Sequence, residues 1–226
     1  MIGVFDSGAG GLFALAELRR LSPTADIVYL ADRKNAPYGT KSRERLVELV
    51  SNDVERLLDE GCDKVLMACC TASSVYDFLP DDYRAVSVPI IEPTARESVM
   101  LSKSKRIGIL STEATKKSGA FVKKILKYEP TAVTVCASAP ELVALAEAGE
   151  RDGGLSEAGM LTIKKSVSVF AGSGIDALIL GCTHFAYFEN TIKNILGVTT
   201  VKSASIGARE MQKYAFCGAG GLRFLG

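Results

Sequence analysis

Two cysteines end matching segments of this chain. Gly61-Cys-Asp-Lys-Val-Leu-Met-Ala-Cys69 and Gly174-Ile-Asp-Ala-Leu-Ile-Leu-Gly-Cys182 align without a gap, with Gly61/Gly174, Asp63/Asp176 and Cys69/Cys182 each 113 positions apart. Such an echo implies two similar half-molecules, each presenting a thiol at the C-terminal end of a buried strand. In open α/β sheets that end is where ligands bind. Two thiols facing one ligand from opposite sides suit proton transfer at a weakly acidic carbon. One takes a proton from one face, the other returns a proton to the opposite face, and the centre inverts. A thiol can do both jobs because its ordinary pKa of about 8.5 lies near working pH, and a nearby carboxylate or imidazole can hold either protonation state. A single free cysteine is more often a small buried hydrophobe; the aligned pair carries the case for racemisation.

Other residues join the pair. His184, the one histidine of the chain, follows Cys182 by two positions and could exchange a proton with that thiol. Asp6 ends the first apolar run, where a carboxylate is costly unless it works or caps a helix. The following Ser7-Gly-Ala-Gly-Gly11 offers backbone amides at a helix start, a natural cradle for a carboxylate or phosphate. It is neither G-x-G-x-x-G, since Phe13 holds the third glycine position, nor a P-loop, so nucleotide binding gains little support. Pro37-Tyr-Gly-Thr40 is a turn by composition, and its amides and phenol could grip a carboxylate. Cys69, Cys70, Cys182 and His184 could in principle bind zinc, but adjacent cysteines point in different directions from a strand end, which makes joint coordination awkward.

These residues need elements to hold them. Apolar runs alternate with amphipathic segments, predicting strands at Ile2–Phe5, Ile27–Leu30, Lys64–Ala68, Ala85–Val88, Ile107–Leu110, Ala132–Cys136, Ala177–Gly181 and Thr199–Val201. Helices are predicted near Gly11–Leu21, Ser42–Glu60, Thr71–Phe78, Thr94–Leu101, Lys116–Leu126, Glu141–Ala148, Leu155–Ala171 and Glu189–Ile195. In the second helix, Leu46, Val50, Val54, Leu57 and Leu58 share one buried face. The alternation predicts an α/β protein with mainly parallel sheets. A second echo, Ile2-Gly-Val-Phe-Asp-Ser7 against Ile107-Gly-Ile-Leu-Ser-Thr112, supports duplication and places the second half from about residue 94, after Pro89 and Pro93. The expected organisation is a first domain of residues 1–93 plus 205–226 and a second of 94–204, packed around a shared cleft; the return of the C-terminal stretch leans on the family named below.

The bulk properties narrow the classes. With 226 residues, 47% apolar and 23% charged, the chain is an ordinary globular protein with enough length for a sizeable core. Its 27 basic and 26 acidic residues form no basic run, which argues against a nucleic-acid partner. No apolar stretch approaches the roughly 20 residues of a membrane span, and Met1 leads straight into an apolar strand, so a cytoplasmic location is expected. There the six cysteines are expected as free thiols rather than disulfides, and no C-x-x-C occurs.

Taken together, these residues resemble the glutamate racemases, within the cofactor-independent aspartate/glutamate racemase superfamily. The resemblance runs through Ile2-Gly-Val-Phe-Asp-Ser-Gly-x-Gly-Gly11, Tyr29-Leu-Ala-Asp32, Pro37-Tyr-Gly39, Ala68-Cys-Cys-Thr-Ala-Ser73 and Leu180-Gly-Cys-Thr-His-Phe185, and more weakly through Thr112-x-x-Thr115-x-x-Ser118 and Val143-Ala-Leu-Ala-Glu147-x-Gly149. It implies two flavodoxin-like domains, usually as a homodimer, that need no cofactor and supply D-glutamate for peptidoglycan. By position it implies Cys69 and Cys182 as the acid/bases, Asp6 assisting on the Cys69 side, and Glu147 and His184 on the Cys182 side. Ser7, Thr71 and Thr183 would hold the substrate's amino and carboxylate groups. Pro37, Tyr38, Gly39, Thr112 and Thr115 would line the pocket for its distal carboxylate, with Cys70 in the substrate pocket as well.

The chain departs from that pattern in three places. Cys70 stands where the family has an asparagine, and a thiol is the weaker hydrogen-bond partner. Ala186 replaces a common proline. The stretch from Phe216 to Leu225 is expected to be too brief for a final strand and helix. A racemase for another acidic amino acid such as aspartate, and a non-catalytic amino-acid-binding homologue, are the rival readings.

Overall fold

The computed structural model describes residues 1–225 as nine strands and eleven α-helices joined by short 3-10 turns. The strands are β1 (Ile2–Asp6), β2 (Ile27–Ala31), β3 (Lys64–Met67), β4 (Ser87–Pro89), β5 (Arg106–Ser111), β6 (Val133–Ser138), β7 (Ala177–Gly181), β8 (Thr199–Lys202) and β9 (Leu222–Leu225). The helices are α1 (Leu12–Leu21), α2 (Arg43–Asp59), α3 (Cys70–Ser73), α4 (Asp81–Val86), α5 (Ile91–Leu101), α6 (Glu113–Ser118), α7 (Ala120–Tyr128), α8 (Pro140–Glu147), α9 (Glu157–Val167), α10 (Glu189–Leu196) and α11 (Ser203–Gln212).

Every strand pairing is parallel. One sheet runs β4-β3-β1-β2-β9 and the other β6-β5-β7-β8. Replacing β1 to β4 by β5 to β8 turns the first order, without β9, into the reverse of the second, so the two halves share a topology as the sequence echo requires. β1, β2 and β7 are buried at every position, as expected for strands covered on both faces. Ile2, Val4 and Leu66 of the first sheet share one apolar cluster with Ile107, Ile109 and Ile179 of the second. α5 and α11 lie between them, α11 packing on α1 and α5. Separate clusters cover the two outer faces.

The stretch from Phe216 to Leu225 holds a strand, against expectation, but no helix. Leu222–Leu225 does form a strand, adding to the edge of β2 with Ile27 opposite Leu222, and the helix Ser203–Gln212 precedes it. Nor do Ala85 and Val86 begin a strand. They end α4, nucleated after Pro80 with Asp81 and Asp82 in its first turn. Thr71–Phe78 is not one helix but a single turn and a 3-10 turn. Lys116–Leu126 is split at Gly119, whose φ of 65° ends α6. α5 starts three residues early because Pro93 falls in its first turn, where no N–H is needed.

Candidate active site

Both thiols sit on the same structural device. Cys69 follows β3 and opens α3; Cys182 follows β7 and opens the 3-10 turn Thr183–Phe188. They remain 5% and 7% exposed, and both line one cavity of about 940 Å³ between the sheets. That is at the large end of small-molecule sites, which run from about 300 to 1,000 Å³. Among the described residues, the same cavity is lined by Ser7, Pro37, Tyr38, Gly39, Cys70, Thr71, Thr112, Glu147, Thr183 and His184. Asp6 and Thr115, the remaining sequence-predicted residues, lie directly behind that wall.

On one side, Ser7 Oγ lies 3.5 Å from Cys69 Sγ, and the backbone amides of Ala72 and Ser7 also reach the sulfur. These donors favour a thiolate, but burial, reinforced by the charge of Asp6, pushes the Cys69 thiol up to about 11. Opposite, His184 Nδ1 lies 3.7 Å from Cys182 Sγ, while His184 Nε2 bonds Glu147 Oε1. A carboxylate on one ring nitrogen fixes the orientation of the other toward the sulfur. Burial raises the Cys182 thiol as well, with the neighbouring Cys70 and Cys69 adding to it and the His184 amide opposing. Glu147 reaches this position from the last turn of α8, in a segment whose likeness to the family is weak.

Asp6 is wholly buried and does not hydrogen-bond Cys69. Its carboxylate accepts Gly8 N at 2.8 Å and Thr183 Oγ1 at 3.1 Å, tying the first half to the loop that carries Cys182. Burial raises its pKa, with the charge of His184 and these hydrogen bonds pulling the other way. Part of the glycine-rich loop's supply of amides is already spoken for, Gly8 and Gly11 by Asp6 and Ser7 by Cys69. The loop's glycines also serve close approach: a Cβ on Gly10 would stand 2.7 Å from Thr183 Cβ and 2.9 Å from His184 N.

The far wall is a hydroxyl cluster. Thr71 Oγ1 is 2.9 Å from Thr112 Oγ1 and 3.2 Å from Thr115 Oγ1, and Thr112 Oγ1 is 2.9 Å from Thr115 Oγ1. Thr112 also caps α6, accepting Thr115 N at 3.3 Å. Gly39 packs on this cap so closely that a Cβ there would lie 2.9 Å from Thr112 Cβ. Tyr38 and Cys70 line the cavity as expected, but their polar ends are engaged elsewhere. The Tyr38 phenol is not offered to a ligand, since it is bonded to Asp32 and Asp53 at 2.7 Å each. The Cys70 thiol turns to Ser203, donating at 3.1 Å, and Ser203 in turn donates to the Leu180 carbonyl at 3.0 Å. Among the described residues no group of three or more His, Cys, Asp or Glu could hold a metal ion.

Arg33, Glu113, Pro140, Val143 and Ala144 also line the cavity and were missed by the sequence reading. The signal for Arg33 was its place beside Asp32 at the end of a strand. The α8 residues become neighbours only when that helix folds over the Cys182 loop.

Comparison with known proteins gives a consistent result. Residues 14–211 match the model described as Asp/Glu/Hydantoin racemase. Among curated proteins, the glutamate racemase of Desulforudis audaxviator is 34% identical over 201 residues, covering 88% of this chain and 72% of that protein. Among solved structures, the Francisella tularensis glutamate racemase in complex with D-glutamate superposes with a TM-score of 0.89 at 27% identity, covering 99% of this chain and 86% of that one. A glutamate racemase isoform of Bacillus anthracis gives 0.87 at 28% identity, with coverage of 99% and 86%.

Proposed function

The chain belongs to the Asp/Glu/Hydantoin racemase family, and on that premise we propose that it interconverts L- and D-glutamate by two-base catalysis through Cys69 and Cys182. The observation that carries this reading is that both thiols, from different sheets, line one cavity. One thiolate abstracts the α-proton of the bound amino acid; the opposite thiol donates a proton to the other face, and their roles exchange with the hand of the substrate. The chemistry needs no cofactor. Each pKa unit by which a thiol stands above ambient pH costs about 1.4 kcal/mol to ionise. The substrate's α-ammonium, brought into a cavity that excludes water, offsets that cost by favouring the thiolate beside it.

His184, held by Glu147, serves the Cys182 side. Asp6 acts through Thr183 and its charge rather than by contact with Cys69. Ser7, Thr71 and Thr183 bind the amino and α-carboxylate groups, and the Pro37–Gly39 turn with Thr112 and Thr115 forms the wall for the distal carboxylate. In this reading the first domain is residues 1–93 and 205–226, of which residue 226 lies outside the described residues, and the second is 94–204. We assign the protein to the cytoplasm as a homodimer supplying D-glutamate for peptidoglycan. Among the described residues, no helix is long and apolar enough to cross a membrane.

The test is proton NMR of separate L- and D-glutamate samples in heavy water. Loss of the α-proton signal from both, abolished in Cys69→Ala and Cys182→Ala, is the expected result. Exchange of aspartate alone would move the substrate to that amino acid, and no exchange with either would leave a binding role.

A further inference from the structure

The phenol of Tyr38 meets two acids at once. Its oxygen lies 2.7 Å from Asp32 Oδ2 and 2.7 Å from Asp53 Oδ2, and all three residues are buried. A phenol carries one proton and can donate to only one acceptor. The second contact, at full hydrogen-bond length between two oxygens, requires a proton from the other side. One of the two carboxyl groups must therefore be a neutral acid. Asp32 already accepts from Asn35 Nδ2, at 3.0 Å from its second oxygen, which casts it as the acceptor of the pair. Asp53, in the middle of α2, has no donor besides Tyr38 among the described residues.

We propose that Asp53 is a positioning residue of this site: as a neutral acid it donates to Tyr38 and so fixes the Pro37–Gly39 turn that forms one wall of the cavity. Tyr38 in turn donates to Asp32, giving a chain Asp53 to Tyr38 to Asp32 that anchors the turn to α2 from beneath. The lever is short, because Gly39 is the next residue and packs on the Thr112 cap. Burial pushes the Asp53 carboxyl up to about 7, with the charge of Asp32 adding to this and that of Arg56 opposing it.

The other groups facing the cluster are Arg45 from α2, whose charge senses Tyr38 and Asp32, and Thr112 and Glu113 from α6. Glu113 is engaged with Ser138 and Lys117. None of these supplies the missing proton. When pH rises through the Asp53 midpoint, that proton leaves and two carboxylates face one phenol oxygen. The turn then keeps its bond to Asp32 but loses the one to α2, while the thiols, on other loops, keep their contacts. This consequence rests on the racemase reading of the cavity, in which the turn holds the distal carboxylate.

The protonation itself is tested without substrate. In ligand-free protein labelled with 13C at aspartate carboxyls, one resonance absent from Asp53→Asn is expected to titrate with a midpoint between about pH 6 and 8. In Asp32→Asn, which removes the adjacent charge, that midpoint is expected to fall by about a unit or more. With glutamate, the wild-type KM is expected to rise about tenfold between pH 6 and 8.5, the worth of one lost hydrogen bond. In Asp53→Asn, whose amide donates to Tyr38 at every pH, KM stays flat. An Asp53 resonance titrating below pH 5, or a KM profile of Asp53→Asn that follows the wild type, would overturn the proposal. If the protein exchanges neither glutamate enantiomer, the racemase reading falls, whereas the carboxyl titration still decides whether Asp53 holds the proton.

Discussion

Gly10→Ala puts the junction between the two halves under direct test. Gly10 belongs to the loop after β1, and the added Cβ would lie 2.7 Å from Thr183 Cβ and 2.9 Å from the backbone N of His184. Neither neighbour can rotate away: one is a branch point, the other main chain. The loop carrying Cys182 and His184 must therefore shift by a sizeable part of an ångström, and Thr183 must loosen its hydrogen bond to buried Asp6, now 3.1 Å. Overpacking of this kind costs roughly 1–3 kcal/mol, and a hydrogen bond to a charged group adds roughly 1.5–3 kcal/mol. At about 2–4 °C per kcal/mol for a chain of this size, the melting temperature should fall by roughly 5–24 °C. Because an ångström of misplacement can cost about a hundredfold in rate, kcat/KM for α-proton exchange should drop by about that factor.

The matched comparison is Gly8→Ala, whose Cβ would stand 3.3 Å from Glu147 Oε1 and 3.5 Å from the His184 ring, contacts that a few tenths of an ångström of side-chain movement relieve. Its losses should be several-fold at most. Thermal unfolding by circular dichroism and exchange in heavy water give both readings from one preparation. A Gly10→Ala protein that melts within about 2 °C of wild type and turns over within about threefold would refute the reasoning, since the two loops would then not be in contact.

Other predictions concern charge and capping. With the Cys69 thiol pushed up to about 11, the 240 nm absorbance difference between ligand-free wild type and Cys69→Ala should be absent at pH 8 and grow as pH passes 10; thiolate already present at pH 7 would contradict the burial argument. Asp53 is raised in the folded state to about 7, above its unfolded value, so the stability it contributes is complete below about pH 4 and lost as pH rises through about 7. The melting temperature of wild type relative to Asp53→Asn should fall across that window, by the equivalent of up to roughly 4 kcal/mol; a constant difference would refute the assignment. Thr112→Val removes both the α6 cap and two contacts of the hydroxyl cluster, and should cost about 1–2 kcal/mol in urea unfolding while raising KM for glutamate. An unchanged KM would remove Thr112 from the binding wall.

The sequence by itself determined the repeated α/β architecture and the thiol pair. Apolar runs and period-3.6 patterns are local, and a gapless nine-residue echo at a spacing of 113 aligns the two cysteines without any coordinates. Strand ends were legible for the same reason, and Cys69, Cys182 and His184 could be singled out because their chemistry is rare and their neighbours are fixed by the chain. Elements with weak local signals were not legible. β9 is short and mostly exposed, and gains its backbone hydrogen bonds only from β2, far away in sequence. α3 ends after one turn and α6 stops at a left-handed glycine, breaks that apolar periodicity alone does not mark.

Which way a side chain turns was decided by tertiary structure alone. Tyr38 had a polar tip that could have faced a ligand, but two carboxyls beneath it took the phenol. The Gly8 amide could have joined an anion cradle, but Asp6 folds back onto it. Cys70 could have joined a metal or a substrate, but its thiol donates to Ser203, brought over by the last helix. In each case the competing partner comes from elsewhere in the chain, or from a fold-back of the same loop. Hydrogen-bond partners are chosen by distance in space, and local sequence carries no record of that distance.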